Sequence, residues 1–194
     1  MVKLNIINEF KTEQQIQQVK FIDLFCGIGS FHYSFEKLGF KCVMASDICE
    51  SAKNTYKENY GMDVLDDICE IDPSTIEPYD ILCAGFPCQP FSQAGQHKGF
   101  EDSRGTMFSQ VMRFVKHNIP KIVILENVQA LLNHDNGNSF TTIKTALENE
   151  GYNVVHNVLK CSDYGIPQMR KILFIIGFKN IEVHNLDDFF NLHE

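Results

Sequence analysis

The sequence lacks long apolar runs and shows no secretory leader. No apolar segment approaches the roughly 20 residues that a membrane-spanning helix needs. Residues 1–20 are rich in Gln, Asn and Lys and contain no continuous apolar stretch of the kind found in signal peptides. These absences predict a protein without a membrane segment, located in the cytoplasm.

Paired cysteine spacings are also missing. The seven cysteines are an odd number and form no regular pattern, which favours reduced thiols over a disulfide framework. Cys83, Cys88 and His97 are candidates for zinc ligands. Because the sequence has no Cys-x-x-Cys or His-x-x-x-His unit, we expect no metal site.

Positive charge is scarce, since 17 Lys and Arg face 25 Asp and Glu and the net charge is −8. That sign opposes nucleic-acid binding by neutralisation of phosphates. There are no internal repeats and no low-complexity linker, and 194 residues suffice for one domain with a substantial core. We expect an N-terminal extension over residues 1–20, the main domain over 21–180 and a tail over 181–194.

Apolar strand-like runs alternate with segments of helical periodicity along the main domain. The predicted helices cover residues 31–38, 50–59, 106–117 and 139–150, and the predicted strands cover residues 21–25, 41–45, 63–65, 80–84, 121–125, 153–159 and 172–178. This order predicts an α/β fold, a doubly wound, mainly parallel seven-stranded sheet with helices on both faces.

Glycines and acids follow the first three predicted strands. Gly27 and Gly29 form a turn before a helix, where a ligand can approach the backbone closely. Asp47 lies twenty residues beyond Gly27, a spacing suited to binding a ribose hydroxyl, and Asp67 with Ile68 offers a polar and an apolar contact to adenine. A single such acid is more often a solvated loop residue or a helix cap. Their joint placement favours a nucleoside cofactor.

The segment from Gly85 to Ser92 places a thiol in a turn at the end of a buried strand. Most free cysteines are small buried hydrophobic residues, but Pro87 and Gln89 mark Cys88 as a turn residue. Glu126 ends the next predicted strand. It is either an exposed residue near a helix start or a buried carboxyl whose raised pKa suits a proton donor.

Together these segments resemble the motifs of the DNA cytosine-5 methyltransferases. The resemblance covers about residues 20 to 178 and rests on segments 21–29 (cofactor), 85–89 (nucleophile), 126–128 (glutamate), 99–105 and 163–170. It implies a Rossmann-like, S-adenosylmethionine-dependent fold and a cytosine flipped out of double-stranded DNA. In this mechanism the Cys88 thiolate adds to C6 of cytosine while Glu126 protonates or hydrogen-bonds N3.

The resemblance also assigns roles to individual positions. The implied catalytic residues are Cys88, Glu126 and Arg170; the implied cofactor-binding residues are Phe25, Gly27, Ile28, Gly29, Asp47, Ile48, Asp67, Ile68 and Pro87; and the implied substrate-binding residues are Gln89, Ser92 and Gln168. Three positions depart from the family pattern. Ser30 replaces a glycine, Ile48 an aromatic residue and Ile172 the second arginine of the Gln-x-Arg-x-Arg run.

The chain reaches Glu194 without the DNA-reading domain and final helix that the family carries. We therefore expect a second polypeptide or a missing C-terminal half to supply target recognition, the chain being one subunit of a split enzyme or a truncated copy. We expect the 194 residues alone to bind DNA poorly and methylate little. Two alternatives are methylation of RNA and a catalytically silent binding module. The Gly-Phe pair before Pro87 favours DNA, and intact Cys88 and Glu126 argue against a silent module.

Overall fold

The structure, a computed structural model, describes residues 19–87 and 107–180. Three predicted site residues, Cys88, Gln89 and Ser92, lie outside these ranges, as do the motif at 99–105, the predicted tail and most of the predicted N-terminal extension.

Six strands and four α-helices make up the described part of the chain, together with four short 3₁₀ helices. In chain order they are β1 (Lys20–Leu24), α1 (Ser30–Glu36), β2 (Lys41–Ser46), α2 (Glu50–Tyr60), β3 (Ile81–Ala84), α3 (Met107–Asn118), β4 (Ile122–Val128), α4 (Asn138–Asn149), β5 (Tyr152–Lys160) and β6 (Lys171–Lys179). None of the described helices is long and apolar enough to cross a membrane.

The strands form one sheet in the order β2-β1-β3-β4-β6-β5. Strands β1 to β4 run parallel to one another, whereas β6 is antiparallel to both β4 and β5. The predicted α/β fold with a mainly parallel sheet is confirmed. The predicted count of seven strands is wrong for the described residues, because the segment 63–65 forms only an isolated parallel bridge between Leu65 and Ser46.

Ion pairs explain why this segment does not extend into a strand. Leu65 exchanges two backbone hydrogen bonds with the end of β2, donating to Ala45 and accepting from Asp47. On either side of it, Asp63 lies 2.5 Å from Lys57 Nζ and Asp66 pairs with Lys53. Both lysines belong to α2, so the acids engage the helix while only Leu65 pairs with the strand.

The sheet is covered on both faces, as the alternation of elements predicted. On one face, Leu82 and Leu125 lie in a core shared with Phe114 of α3 and Leu147 of α4. On the other face, strand residues pack with Phe35 of α1, and Tyr56 of α2 packs beside Ala45 and Cys26. Successive strand residues point to opposite faces, so nearly every position in β1 and β3 is apolar and buried.

The position of β1 defines the crevice of this fold. The chain passes from β1 to β2 on one side, then returns to form β3 on the other side of β1. In open α/β sheets, ligands bind at the carboxyl ends of the strands at such a switch point. The ends of β1, β2 and β3 are therefore the first place to look for a site.

Candidate active site

The turn after β1 has an unusual backbone. Phe25, Gly27 and Gly29 all have positive φ angles, of 56°, 54° and 95°. Positive φ is uncommon for a phenylalanine, and such conformations cluster at functional sites. A Cβ atom on Gly27 would meet nothing within 4 Å, and the neighbouring Ile28 is 58% exposed. The turn thus presents an open backbone surface at Gly27.

Gly29 faces the interior and allows α2 to approach the turn. A Cβ atom at this position would lie 2.3 Å from Cε2 of Tyr60, and the Tyr60 hydroxyl donates to the Gly29 carbonyl at 2.9 Å. His32 of α1 stacks on the Tyr60 ring at 3.9 Å, and its Nδ1 lies 2.6 Å from the Tyr56 hydroxyl. These contacts fix the two helices that flank the turn.

Asp47 connects the turn after β1 with the start of α2. Its Oδ2 accepts from the Gly27 N–H at 2.8 Å, and its Oδ1 accepts from the Cys49 N–H at 2.8 Å. Each carboxylate oxygen can accept a further hydrogen bond. The adjacent Ile48 is 77% exposed, so an acid and an apolar side chain lie together at the end of β2.

Asp67 follows the Leu65 bridge and begins a tight turn. Its Oδ1 accepts from the Cys69 N–H at 2.9 Å, and this hydrogen bond holds the pKa of Asp67 below its ordinary value. The carboxyl is therefore ionised at neutral pH. Ile68 is buried in the core and 3% exposed, which leaves little of its side chain for a ligand.

The segment after β3 leads into the predicted nucleophile motif and is held by Asn127. The Asn127 Nδ2 donates to the Phe86 carbonyl at 2.9 Å, and Phe86 itself is buried against Phe108. Asn127 was not among the predicted site residues. Its position next to Glu126 near the end of a buried strand, where a polar amide needs a hydrogen-bond partner, is the sequence feature that indicates such a role. Pro87, the last described residue before Cys88, is exposed.

Glu126 lies against Gly85, at the end of β4. A Cβ atom on Gly85 would be 3.2 Å from Glu126 Oε2, so the glycine leaves room for the carboxyl. Burial raises the pKa of Glu126, and the positive charge of Arg170 partly opposes this. Arg170 comes directly before β6, the neighbour of β4 in the sheet. The structure therefore brings Glu126, Gly85 and Arg170 together.

Gln168 and Arg170 are exposed residues of the segment that joins the short helix Cys161–Tyr164 to β6. Backbone hydrogen bonds shape this segment, since Gln168 N–H donates to the Ile166 carbonyl at 2.7 Å and Cys161 N–H donates to the Arg170 carbonyl at 2.9 Å. Ile172, which stands where the family has an arginine, is a half-buried residue of β6 paired with Val128 and Leu159.

The described site residues lie along one edge of the sheet. The predicted cofactor residues follow β1, β2, the Leu65 bridge and β3, and the predicted proton donor, Glu126, lies near the carboxyl end of β4. Their character fits a nucleoside: the backbone is open at Gly27, Asp47 retains accepting capacity, and Ile48 offers an exposed apolar surface. Within residues 19–87 and 107–180, no group of three or more His, Cys, Asp or Glu is placed to hold a metal ion.

Comparison with known proteins identifies the family. Residues 19–193 match the family model of the C-5 cytosine-specific DNA methylases. The chain belongs to this family. The predicted resemblance is thus confirmed, and the methylases of this family use S-adenosylmethionine.

Bacterial type II methyltransferases are among the similar methylases. M.MspI of Moraxella sp is 48% identical over 166 residues, which cover 85% of this chain and 40% of the relative. M.HhaI of Haemophilus parahaemolyticus is 42% identical over 168 residues, which cover 87% of this chain and 51% of the relative. The chain spans about half the length of the curated relatives it matches.

The solved structures show the same methylase fold. Dnmt2 methyltransferase of S. pombe superposes with a TM-score of 0.73 at 24% identity, covering 88% of this chain and 54% of the other. At this level of identity the match supports the fold alone.

Proposed function

We propose that this chain is the catalytic portion of a DNA cytosine-5 methyltransferase, which methylates C5 of cytosine in double-stranded DNA through a covalent adduct with Cys88. The observation that carries the proposal is the placement of Glu126. Its carboxyl lies against Gly85 of the nucleophile motif and near Arg170, and burial raises its pKa.

Glu126 has the environment of a proton donor. A carboxyl whose pKa is raised toward neutral pH can hold a proton and deliver it to a ring nitrogen. Cytosine accepts a thiolate at C6 only when N3 is protonated or strongly hydrogen-bonded, and Glu126 serves this purpose. Arg170 partly opposes the rise in the pKa of Glu126 and helps to hold the flipped nucleotide, together with Gln89, Ser92 and Gln168.

The covalent step follows from this arrangement. The Cys88 thiolate forms a bond to C6, and the electron pair of the ring moves toward C5, which then acts as a nucleophile. S-Adenosylmethionine, when bound, would supply the methyl group to C5, with cleavage of its sulfur–methyl bond and release of S-adenosylhomocysteine. Loss of the C5 proton to a base restores the C5–C6 double bond and releases the Cys88 thiolate.

The residues at the ends of β1 to β3 would hold the cofactor. Asp47 has accepting capacity for the ribose hydroxyls, and Asp67 for the adenine amino group. The proposed cofactor-binding residues are Phe25, Gly27, Ile28, Gly29, Asp47, Ile48, Asp67, Ile68 and Pro87.

Target recognition is proposed to come from outside these 194 residues, from a second polypeptide or from a missing C-terminal half. The matched segments cover 40% of M.MspI and 51% of M.HhaI, so about half of each relative has no counterpart in these 194 residues. The net charge of −8 also argues that phosphate contacts are supplied elsewhere.

A covalent trap tests the mechanism at Cys88. Duplex DNA carrying 5-fluorocytosine should form a lasting adduct, because fluorine at C5 cannot leave as a proton does. The chain is incubated with S-adenosylmethionine, this DNA and a polypeptide carrying a target-recognition domain, and the adduct is located by mass spectrometry. We expect it at Cys88.

The variant Cys88→Ser should give no adduct and no transfer of labelled methyl groups, while its binding of S-adenosylhomocysteine is retained. Cys161→Ser makes the same chemical change at a half-buried thiol outside the proposed site and should behave like the wild type. Methyl transfer by Cys88→Ser at the wild-type rate would refute the mechanism.

A further inference from the structure

Arg113, which lies outside the segments that resemble the family's motifs, holds the turn that carries Asp67. The Nη2 of Arg113 donates to the Ile71 carbonyl at 2.9 Å, and its Nη1 lies 3.5 Å from the carbonyl oxygens of both Ile68 and Cys69. Within the turn the Ile68 carbonyl also accepts from the Ile71 N–H at 3.4 Å, and a cation is favourable at the carbonyl end of such a turn. Arg113 therefore caps this turn from the middle of α3.

The orientation of the guanidinium is fixed by its own helix. Gln110, one turn earlier in α3, places its Oε1 2.5 Å from Arg113 Nη1. A guanidinium is planar, remains charged, and offers five donors in a rigid arrangement, so it can hold several carbonyls at once. A lysine ammonium has no such planar arrangement.

Cys69 is held from two sides. Its N–H donates to Asp67 Oδ1 at 2.9 Å, and its carbonyl oxygen contacts Arg113. The direction of the Asp67 carboxylate thus depends on the peptide groups on either side of Cys69, and Arg113 contacts the carbonyl oxygen of each. Because Ile68 is buried in the core, loss of the guanidinium would leave the turn attached to the protein while freeing its carbonyl end.

We propose that Arg113 is a positioning residue for the adenine end of the cofactor, acting through Cys69 on the Asp67 carboxylate. This inference rests on the proposed function, because it assumes that Asp67 accepts a hydrogen bond from the adenine amino group. It assigns a role in cofactor discrimination to a residue of α3 that touches neither the cofactor nor the base.

The test compares two ligands by titration calorimetry. One is S-adenosylhomocysteine, and the other is its inosine analogue, in which an oxygen replaces the adenine amino group. The wild type should prefer the first, because an ionised Asp67 accepts from an amino group and repels an oxygen. In Arg113→Met, which keeps an apolar stem, we expect the ratio of the two Kd values to fall about tenfold, the range of one hydrogen bond to a charged group.

Two variants complete the design. Lys116→Met removes one positive charge from the same helix, at a side chain that is 56% exposed and lies 3.6 Å from Glu150, and should leave the ratio unchanged. Arg113→Lys keeps the charge but not the planar set of donors, so its ratio should be intermediate. Circular dichroism checks the folding of each variant; if Arg113→Met does not fold, Arg113→Lys decides the question.

The outcomes separate the two proposals. If the wild type binds neither ligand, the proposed function fails and this inference fails with it. If the wild type binds both ligands equally, or discriminates between them with the same ratio as the Arg113 variants, cofactor binding stands and the role of Arg113 is overturned.

Discussion

At the scale of single residues, Asp23 is the most unusual side chain of the described structure. It lies in β1 between Ala45 of β2 and Cys83 of β3, is fully buried, and has no hydrogen-bond partner for either carboxyl oxygen among the described residues. Burial raises its pKa well above the ordinary value, and the backbone N–H of His32 opposes this without outweighing it. The folded protein therefore favours the protonated carboxyl more strongly than the unfolded chain does.

A buried acid whose pKa is raised makes stability depend on pH in a defined direction. The unfolded chain releases the Asp23 proton above about pH 4, whereas the folded chain retains it, so the free energy of unfolding falls as pH rises toward the folded pKa. The slope is at most about 1.4 kcal/mol per pH unit for one proton. Asp23→Asn removes this proton exchange and should flatten the pH dependence above about pH 4, the pKa of the unfolded chain.

Urea unfolding at a series of pH values measures this slope. Asp163→Asn changes an exposed acid in the same way and should leave the slope close to that of the wild type. If Asp23→Asn showed the wild-type slope, Asp23 would not be the buried proton that the structure indicates.

At the scale of elements, the sequence predicted the strands well because buried parallel strands are short apolar runs followed by glycines or acids. The predicted strand at 80–84 and the observed β3 (Ile81–Ala84) differ by one residue. The failure at 63–65 arises from charge, since Asp63 and Asp66 pair with lysines of α2 while Leu65 alone pairs with the strand.

The supporting contacts of the site could not be predicted in this way. Tyr60 reaches Gly29 across 31 positions, Asn127 reaches Phe86 across 41, and Arg113 reaches Ile71 across 42. Each joins a side chain of one element to the backbone of another, and no local periodicity encodes such a pair. The candidate residues at strand ends could therefore be predicted from the sequence. The residues that hold those strand ends in place could be identified only from the three-dimensional structure.

Substitutions at two glycines of the β1 turn allow the destabilisation caused by backbone strain to be measured separately from that caused by overpacking. Both Gly27 and Gly29 have positive φ, which adds about 1–2 kcal/mol of strain for an alanine. Gly27→Ala should show only this strain, because its Cβ atom meets nothing within 4 Å. Gly29→Ala should be destabilised further, by roughly 1–3 kcal/mol of overpacking, because its Cβ atom would lie 2.3 Å from Tyr60.

Chemical denaturation of the two variants without cofactor tests this difference. Adding Tyr60→Leu to Gly29→Ala should restore part of the loss, since the smaller side chain makes room for the methyl group. Equal destabilisation of Gly27→Ala and Gly29→Ala would contradict the packing of α2 against the turn.

At the scale of the whole molecule, charge limits what these residues can bind. The net charge is −8, and among the described residues seven lysines lie in ion pairs with acids. Arg170 and Lys171 form no ion pair within the described ranges, and both lie near the carboxyl end of β4, the strand that carries Glu126. These two cations are available to phosphates and lie close to the proposed site.

This charge distribution predicts the behaviour of the chain with duplex DNA. Because sequence-independent affinity comes from phosphate neutralisation, the chain alone should bind in the non-specific range of about 10⁻⁴–10⁻⁶ M at physiological salt, with no preference among sequences. Fluorescence anisotropy at several salt concentrations measures this. Lys171→Met should reduce the slope of log K against log salt by about 0.9, the value expected for one phosphate contact, whereas Lys57→Met, whose lysine pairs with Asp63, should not. Nanomolar, sequence-specific binding by these 194 residues alone would contradict the proposal that the target is read by residues outside them.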